Sequence, residues 1–308
     1  MSISSPVRLG IIGVGRWGSI CVRTLAAMTT VNLVAIASSN PETATLAPHG
    51  CHIFSDWRDL IRSADVEGLI IATPPATHAI ISNVAIAAGL PIFVEKPLTL
   101  SSVESHQLRT FAEMQGARVF FVDHIHLFSS AFRRLKELVV DAGPILAIEG
   151  LAGNYGPYRK DVSTLWDWGA HDVAMLIGLV GTSPVQVMAQ RLDWRQIEGN
   201  QGETIRLNLS FGKVEAKIIV STLRDKVRQF RVRCEGGDLL YDDLAPAKLT
   251  SNGVAIEIDP APPLTLALSE FAAAIRGGSI HLSGLDLGVA VVEVLERAGS
   301  TLRSAGPL

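Results

Sequence analysis

Along the first 125 residues, short apolar runs without alternation take turns with amphipathic stretches. Val7–Ile12, Val31–Ala37, His52–Phe54, Gly68–Ala72, Pro91–Val94 and Ala117–Val122 predict strands. Ser19–Met28, Asp56–Arg62, Ala76–Ala88 and Ser101–Met114 predict helices between them, and Gly89 closes the third. Unbroken apolar strands suit a sheet covered on both faces, as a parallel sheet is. Strand–helix repetition with short links predicts a doubly wound α/β domain.

Past Val122 the pattern changes. Ala131–Val140 reads as one more amphipathic helix, ended by Gly143-Pro144. Longer segments with period-2 alternation follow. Ile205, Leu207, Leu209 and Phe211 point one way, while Arg206, Asn208 and Ser210 point the other. Gly212-Lys213 then marks a hairpin turn into Val214–Ser221. Phe230, Val232 and Cys234 alternate with Arg231 and Arg233, and Leu264–Ile275 and Gly288–Leu302 look helical. These strands predict an antiparallel sheet with one open face. The border falls near residue 123, which gives domains 1–123 and 124–308. A chain of 308 residues fits two domains at about 150 residues each.

Composition narrows the partners. The net charge of −3 argues against life on nucleic acid, which needs a basic face. The three cysteines, Cys21, Cys51 and Cys234, are scattered and form no CxxC, so no disulfide scaffold or cysteine zinc site is expected. The first residues show no basic segment leading an apolar one, so no secretory leader is expected. The most apolar stretch, Ile80–Val94, is cut by Ser82, Asn83, Gly89 and Pro91, which speaks against a membrane span. The expected location is the cytoplasm.

Five motifs carry chemistry. Gly13-Val14-Gly15-Arg16-Trp17-Gly18 lies directly between a strand and a helix. That is the context in which a glycine loop brings backbone N–H groups and a helix N-terminus to a pyrophosphate. The second strand should end with the residue that reads the adenosine ribose. Here Ser38-Ser39-Asn40 follow with no acid, which tilts the cofactor from NAD towards NADP, while the lack of an arginine weakens that tilt. Thr73 and Pro74 close the fourth strand and would line the nicotinamide ribose, with His78 as a helix-start or cofactor contact. Glu95-Lys96-Pro97 closes the fifth strand. A lysine aimed there by Pro97 can stabilise an alkoxide at the cofactor. Finally, Asp167 and His171 are four apart, so on a helix they share a face as an acid–base pair.

In this order the motifs resemble the glucose–fructose oxidoreductase/inositol dehydrogenase/rhizopine-catabolism (Gfo/Idh/MocA) family over essentially the whole chain. The resemblance implies an N-terminal Rossmann domain and a C-terminal α/β domain with a large, mainly antiparallel, open-faced sheet. It implies a homodimer or homotetramer and NAD(P)-dependent oxidation or reduction of sugar-like hydroxyls. By position it implies Lys96 as the catalytic lysine, Asp167 as its partner and His171 as the acid/base. The glycine loop, Ser38, Ser39, Thr73, Pro74, His78, Glu95 and Lys96 would then contact the cofactor.

Two departures from the family pattern stand out. Ala174 occupies the position of the last acid in HDxD, and Leu127 stands where nucleotide-sugar dehydrogenases of the family carry arginine. His124 is expected to face the active-site crevice, and no metal is expected from His124, His126 and His171. Tyr155, Tyr158, Arg159 and Lys160 form a polar, aromatic loop suited to a sugar, carboxylate or phosphate, or simply to solvent.

The expected function is hydride transfer between NAD(P) and a secondary hydroxyl or ketone of a sugar, cyclitol or nucleotide-sugar. Lys96 and His171 are expected to converge on one substrate carbon across a crevice between the domains. The alternatives are a non-catalytic dinucleotide-binding regulator and a reductase of a non-sugar carbonyl or imine.

Overall fold

A computed structural model describes residues 5–63, 65–197 and 199–304, with side chains described as far as residue 302. In chain order the first elements are β1 (Val7–Ile12), α1 (Arg16–Ala26), β2 (Val31–Ala37), α2 (Thr43–Leu46), β3 (His52–Phe54), α3 (Trp57–Arg62), β4 (Gly68–Ile71), α4 (His78–Ala87), β5 (Ile92–Glu95), α5 (Ser102–Met114) and β6 (Phe120–Asp123). After a 3-10 turn at Ile125–Phe128 come α6 (Ser130–Asp141), β7 (Ile145–Gly153), α7 (Thr164–Val180), β8 (Gln186–Ile197), β9 (Asn200–Ser210), β10 (Glu215–Ser221) and β11 (Val227–Cys234). Then β12 (Gly237–Asp242), β13 (Leu249–Ser251), β14 (Val254–Ala255), α8 (Pro263–Gly277) and α9 (Ser283–Ser304) complete the chain.

Two compact units divide the chain. One takes it up to Asp123 together with Pro262–Val289; the other takes His124–Ala261 and the chain from Ala290 onward. The chain passes from one unit to the other after Asp123 and returns at Pro262. The reason is aromatic packing. Phe271 of α8 lies 5.7 Å from the rings of both Phe93 and Phe121, on β5 and β6.

In the first unit the strand order is β3-β2-β1-β4-β5-β6, with every pair parallel. The order reverses between β1 and β4, the place where such sheets take ligands at their carboxyl ends. β4 and β5 are buried along their whole length. That explains why they read as unbroken apolar runs.

In the second unit the order is β14-β13-β12-β11-β7-β10-β9-β8. Only β7 and β10 pair in parallel; their other pairings and the rest of the ladder are antiparallel. Ile205, Leu207 and Leu209 of β9 are buried and face α7 and α9, and Arg206 and Asn208 turn outward, as the alternation predicts. The outer face keeps Met188 exposed, with Leu151 and Ile219 half-buried on it.

β11 breaks its own pattern. Phe230, Val232 and Cys234 are buried, and so is Arg228, in phase with them. Its guanidinium meets Asp172 of α7 at 2.9 Å and lies over the Trp168 ring. Burial pushes the Asp172 carboxyl up to about 6, against the pull of Arg228. This pair fixes the rotation of α7, and with it the face that carries Asp167 and His171. Among the described residues no helix is long and apolar enough to cross a membrane.

Asp172 binds its proton more tightly in the folded chain. It therefore supports the fold at low pH and withdraws that support as pH rises through about 6. Arg228→Ala would strand this carboxylate and should cost on the order of 3–5 kcal/mol at about pH 8, and less at about pH 5, where Asp172 is neutral. Urea denaturation at both pH values checks this. A pH-independent loss would show that the pair does not carry the effect.

Candidate active site

The glycine loop is built by close approach. Gly13 sits at φ +91°, and a Cβ there would press on the Ala72 carbonyl at 2.7 Å. A Cβ on Gly18 would run into the carbonyl oxygen of Gly13. These two positions let α1 start directly over the end of β1. Gly15 differs, with open space where its Cβ would lie. It caps α1 without any side-chain hydrogen bond, so the first N–H groups of the helix have no side-chain acceptor. Open space above bare N–H groups fits a dinucleotide pyrophosphate. Arg16 and Trp17 flank that space and are exposed.

The segment after β2 is strapped to this loop. Ser38 Oγ accepts from the N–H groups of Val14 (3.2 Å) and Asn40 (3.1 Å). Asn40 Nδ2 donates to the Val14 carbonyl at 2.6 Å. Ser38 thus holds the loop, leaving Ser39 as the exposed hydroxyl at that strand end. The bracing role of Asn40 was not foreseen. Its Asn-Pro dipeptide signals a turn, not a strap across to Val14.

At the end of β4 the Thr73 and Thr77 hydroxyls lie 2.7 Å apart, and Pro74 is exposed. His78 opens α4, the helix start that was one of its two expected places. It is wholly buried, with Nδ1 2.9 Å from the Pro97 carbonyl and Nε2 2.9 Å from the Thr73 carbonyl. Burial lowers its proton affinity. It ties the end of β4 to the turn after Lys96 and has no surface left for a cofactor. Lys96 follows β5 directly and is half-buried.

Glu95 ends β5. It is buried and stands in register with Asp123 at the ends of β5 and β6, so the two carboxyls are neighbours. Burial pushes both upward; Asp123 adds to the rise of Glu95, while the Lys96 charge opposes it in both. Trp17 Nε1 donates to Asp123 Oδ2 at 3.2 Å, which binds the glycine loop to the far strands. Asp123 was not singled out by the sequence reading. An acid ending an apolar strand was the available signal.

In the second unit, Asp167 and His171 lie one turn apart on α7. Asp167 Oδ1 is 3.4 Å from Arg159 Nη1, and Arg159 also grips Asp161 at 2.9 and 2.5 Å. The Arg159 charge is therefore matched by two carboxylates and not left over for an anionic ligand. A cavity of about 220 Å³ opens beside Asp167, lined by Arg159, Asp161, Thr164, Gln201 and Glu203 among others. Tyr158 is half-buried and Tyr155 exposed, while His124 is buried. His126 was considered only as a metal ligand. Its ring packs edge to face on His171, with centroids 5.1 Å apart. Among the described residues no cluster of three or more histidine, cysteine or acidic side chains fits a metal ion.

Comparison with known proteins bears on both units. Residues 7–124 match the model of an oxidoreductase family with an NAD-binding Rossmann fold. The chain is 31% identical over 185 residues to UDP-N-acetylglucosamine 3-dehydrogenase of Acidithiobacillus ferrooxidans, covering 59% of this chain and 57% of that protein. It is 28% identical to inositol 2-dehydrogenase of Leifsonia xyli subsp. xyli, over 50% of this chain and 47% of that one. The chain thus spans about half the length of the curated relatives it matches. A crystal structure of a candidate oxidoreductase from Magnetospirillum magnetotacticum MS-1 is 42% identical, covers 96% of this chain and 100% of its own, and superposes with a TM-score of 0.91.

The Glu95–Asp123 pair binds its proton more tightly folded than unfolded, so its support for the fold falls as pH rises out of the acid range. Asp123→Asn keeps an acceptor for Trp17 and removes one acid. Thermal denaturation should show the variant gaining on the native chain at about pH 8 relative to about pH 5. An equal offset at both pH values would contradict a shared buried proton.

Proposed function

The chain belongs to the Gfo/Idh/MocA oxidoreductase family, and from that premise we propose that it is an NAD(P)-dependent dehydrogenase or reductase of a sugar, cyclitol or nucleotide-sugar. One observation carries the reading. Lys96 leaves β5 at the same carboxyl edge of the sheet that holds Gly15 and Thr73, with β1 and β4 at the reversal of strand order. Two further features support a hydroxylated substrate. The cavity beside Asp167 is lined by carboxylates, hydroxyls, an amide and the cations Arg159 and Lys160, and relatives of the chain are named for inositol and UDP-N-acetylglucosamine.

The glycine loop, the start of α1, Ser39, Thr73 and Pro74 would hold the dinucleotide. When bound, it supplies the acceptor for a hydride. The chain's own groups handle the proton and the charge. His171 takes the hydroxyl proton. The Lys96 ammonium faces the oxygen that becomes an alkoxide and stabilises the charge that develops there. Asp167 draws Arg159 to the same helix face and sets the local field. In the reductive direction His171 returns the proton.

The finer cofactor reading is NADP. No carboxylate follows β2, and exposed Ser39 leaves room for a 2′-phosphate. The open face of the second sheet, with Met188 exposed and Leu151 and Ile219 half-buried, supports a homo-oligomer.

Lys96→Ala should leave dinucleotide affinity nearly unchanged and lower kcat by roughly 100-fold or more, as loss of a positioned charge does. His171→Ala should lose a similar factor together with one limb of the pH profile. A panel of sugars, inositols and UDP-sugars, followed by NAD(P)H absorbance, checks both. Undiminished turnover in the Lys96 variant would favour another group, and no turnover in the native chain with any of them would favour a dinucleotide-binding regulator. Ser39→Asp should weaken NADP far more than NAD in calorimetry; equal loss would remove Ser39 from that contact.

A further inference from the structure

His126 does more than fill space beside His171. It rises from the 3-10 turn Ile125–Phe128 and is buried. One side packs on the His171 ring at 83°, with centroids 5.1 Å apart. On the other side, Nδ1 lies 2.9 Å from the hydroxyl of Tyr241 on β12, itself wholly buried. The Asp243 carboxylate lies near enough to act on the Tyr241 hydroxyl through its charge. Asp243 accepts from Lys248 Nζ at 2.9 Å, and its side chain is 29% exposed. His171, His126, Tyr241 and Asp243 thus follow one another inside one unit and end at a partly exposed carboxylate.

The line has a direction. A carboxylate only accepts, and a tyrosine has one proton to give. The Asp243 charge draws the Tyr241 O–H proton towards itself and leaves the hydroxyl oxygen to face His126. His126 must then be the donor at Nδ1, which leaves Nε2 as its basic nitrogen. This is the arrangement that stabilises an imidazolium, with the carboxylate charge relayed through one hydroxyl. Burial and the Asp243 charge hold the Tyr241 hydroxyl in its protonated form.

We propose that His126 and His171 act as one acid–base pair that holds a single proton, with Tyr241 and Asp243 making His126 the place where that proton rests. The proposal rests on the reading of His171 as the acid–base group. Two imidazolium charges this close in a buried site repel strongly, so the second proton is refused over the working pH range. In oxidation the substrate O–H bond breaks and its proton goes to His171, while the hydride and its electron pair leave for the dinucleotide. The proton then settles on Nε2 of His126, and His171 is neutral again. It leaves by the reverse step to His171 and water once product has gone. No group is oxidised or reduced along this line.

Other charges facing the pair come from each neighbouring element. α7 supplies Asp167 and Asp172, already matched by Arg159 and Arg228. The segment of His126 itself brings His124, and α6 brings Arg133, whose Nε donates to the Leu127 carbonyl. The Asp243 carboxylate reaches His126 only through Tyr241, and Lys248 stands behind it.

Nitrogen-15 histidine spectra of the full chain, with no substrate or dinucleotide, test the pair directly. Between about pH 5 and about pH 9 the His126 and His171 signals should move together, and neutral His126 should carry its proton on Nδ1. Tyr241→Phe should shift that proton to Nε2. Should this buried substitution prevent folding, Asp243→Asn at the surface should lower the shared midpoint by roughly half a pH unit or more. His126→Asn should leave His171 titrating alone at a changed midpoint. Independent titration of the two rings, unmoved by these variants, would overturn the proposal. A coupled titration alongside undiminished His171→Ala turnover would instead overturn the catalytic reading of His171 and leave the pairing intact.

Discussion

The approach of Gly18 to the carbonyl of Gly13 leaves no room for a methyl group. That contact seats the start of α1 over the end of β1 and leaves the space above Gly15 open. Everything assigned to the first unit hangs from the same edge. Thr73, Lys96 and Asp123 sit at the ends of β4, β5 and β6 because parallel strands end together. Hydrogen bonds then tie the ends to one another: Ser38 and Asn40 to the glycine loop, His78 to the turn after Lys96, and Trp17 to Asp123. A site held in this way has little freedom to rearrange when a ligand arrives, which favours binding and rate alike.

In the second unit the comparable constraint is a buried charge. Arg228 occupies an apolar phase of β11 solely to meet Asp172, and the pair sets how α7 rolls against the sheet. Both departures from the family pattern fall on the contact between α7 and the 3-10 turn. Leu127 packs within 3.2 Å of where a Cβ of Gly178 would lie, and Ala174 is buried one turn earlier on the same helix. An apolar contact there holds the turn that presents His126 to His171.

Much of this was legible from residues alone, for physical reasons. β1, β2 and β3 have the predicted bounds because buried parallel strands leave unbroken apolar runs between breakers. The glycine loop, Lys96 and the Asp167–His171 spacing are local patterns, and local patterns survive translation into sequence. What was missed depends on distant partners. β7 and β8 carry no clean alternation, and β7 lies between a parallel and an antiparallel neighbour. Glu95 stands in sequence among residues expected at a cofactor, yet its side chain turns inward to Asp123. Arg228 could have been found, since an arginine in the apolar phase of a strand demands a buried acid. The return of α8 to the first unit rests on the meeting of Phe271, Phe93 and Phe121, which no local pattern announces.

The central claim is that the carboxyl edge of the first sheet binds a dinucleotide with its reactive ring at Lys96. A crystal structure of the chain with NADP bound tests it most directly. The account predicts the pyrophosphate over Gly15 at the start of α1, and the nicotinamide ring at the ends of β4 and β5 with Lys96 Nζ beside it. A pyrophosphate seated elsewhere, or a nicotinamide ring out of reach of Lys96, would contradict it.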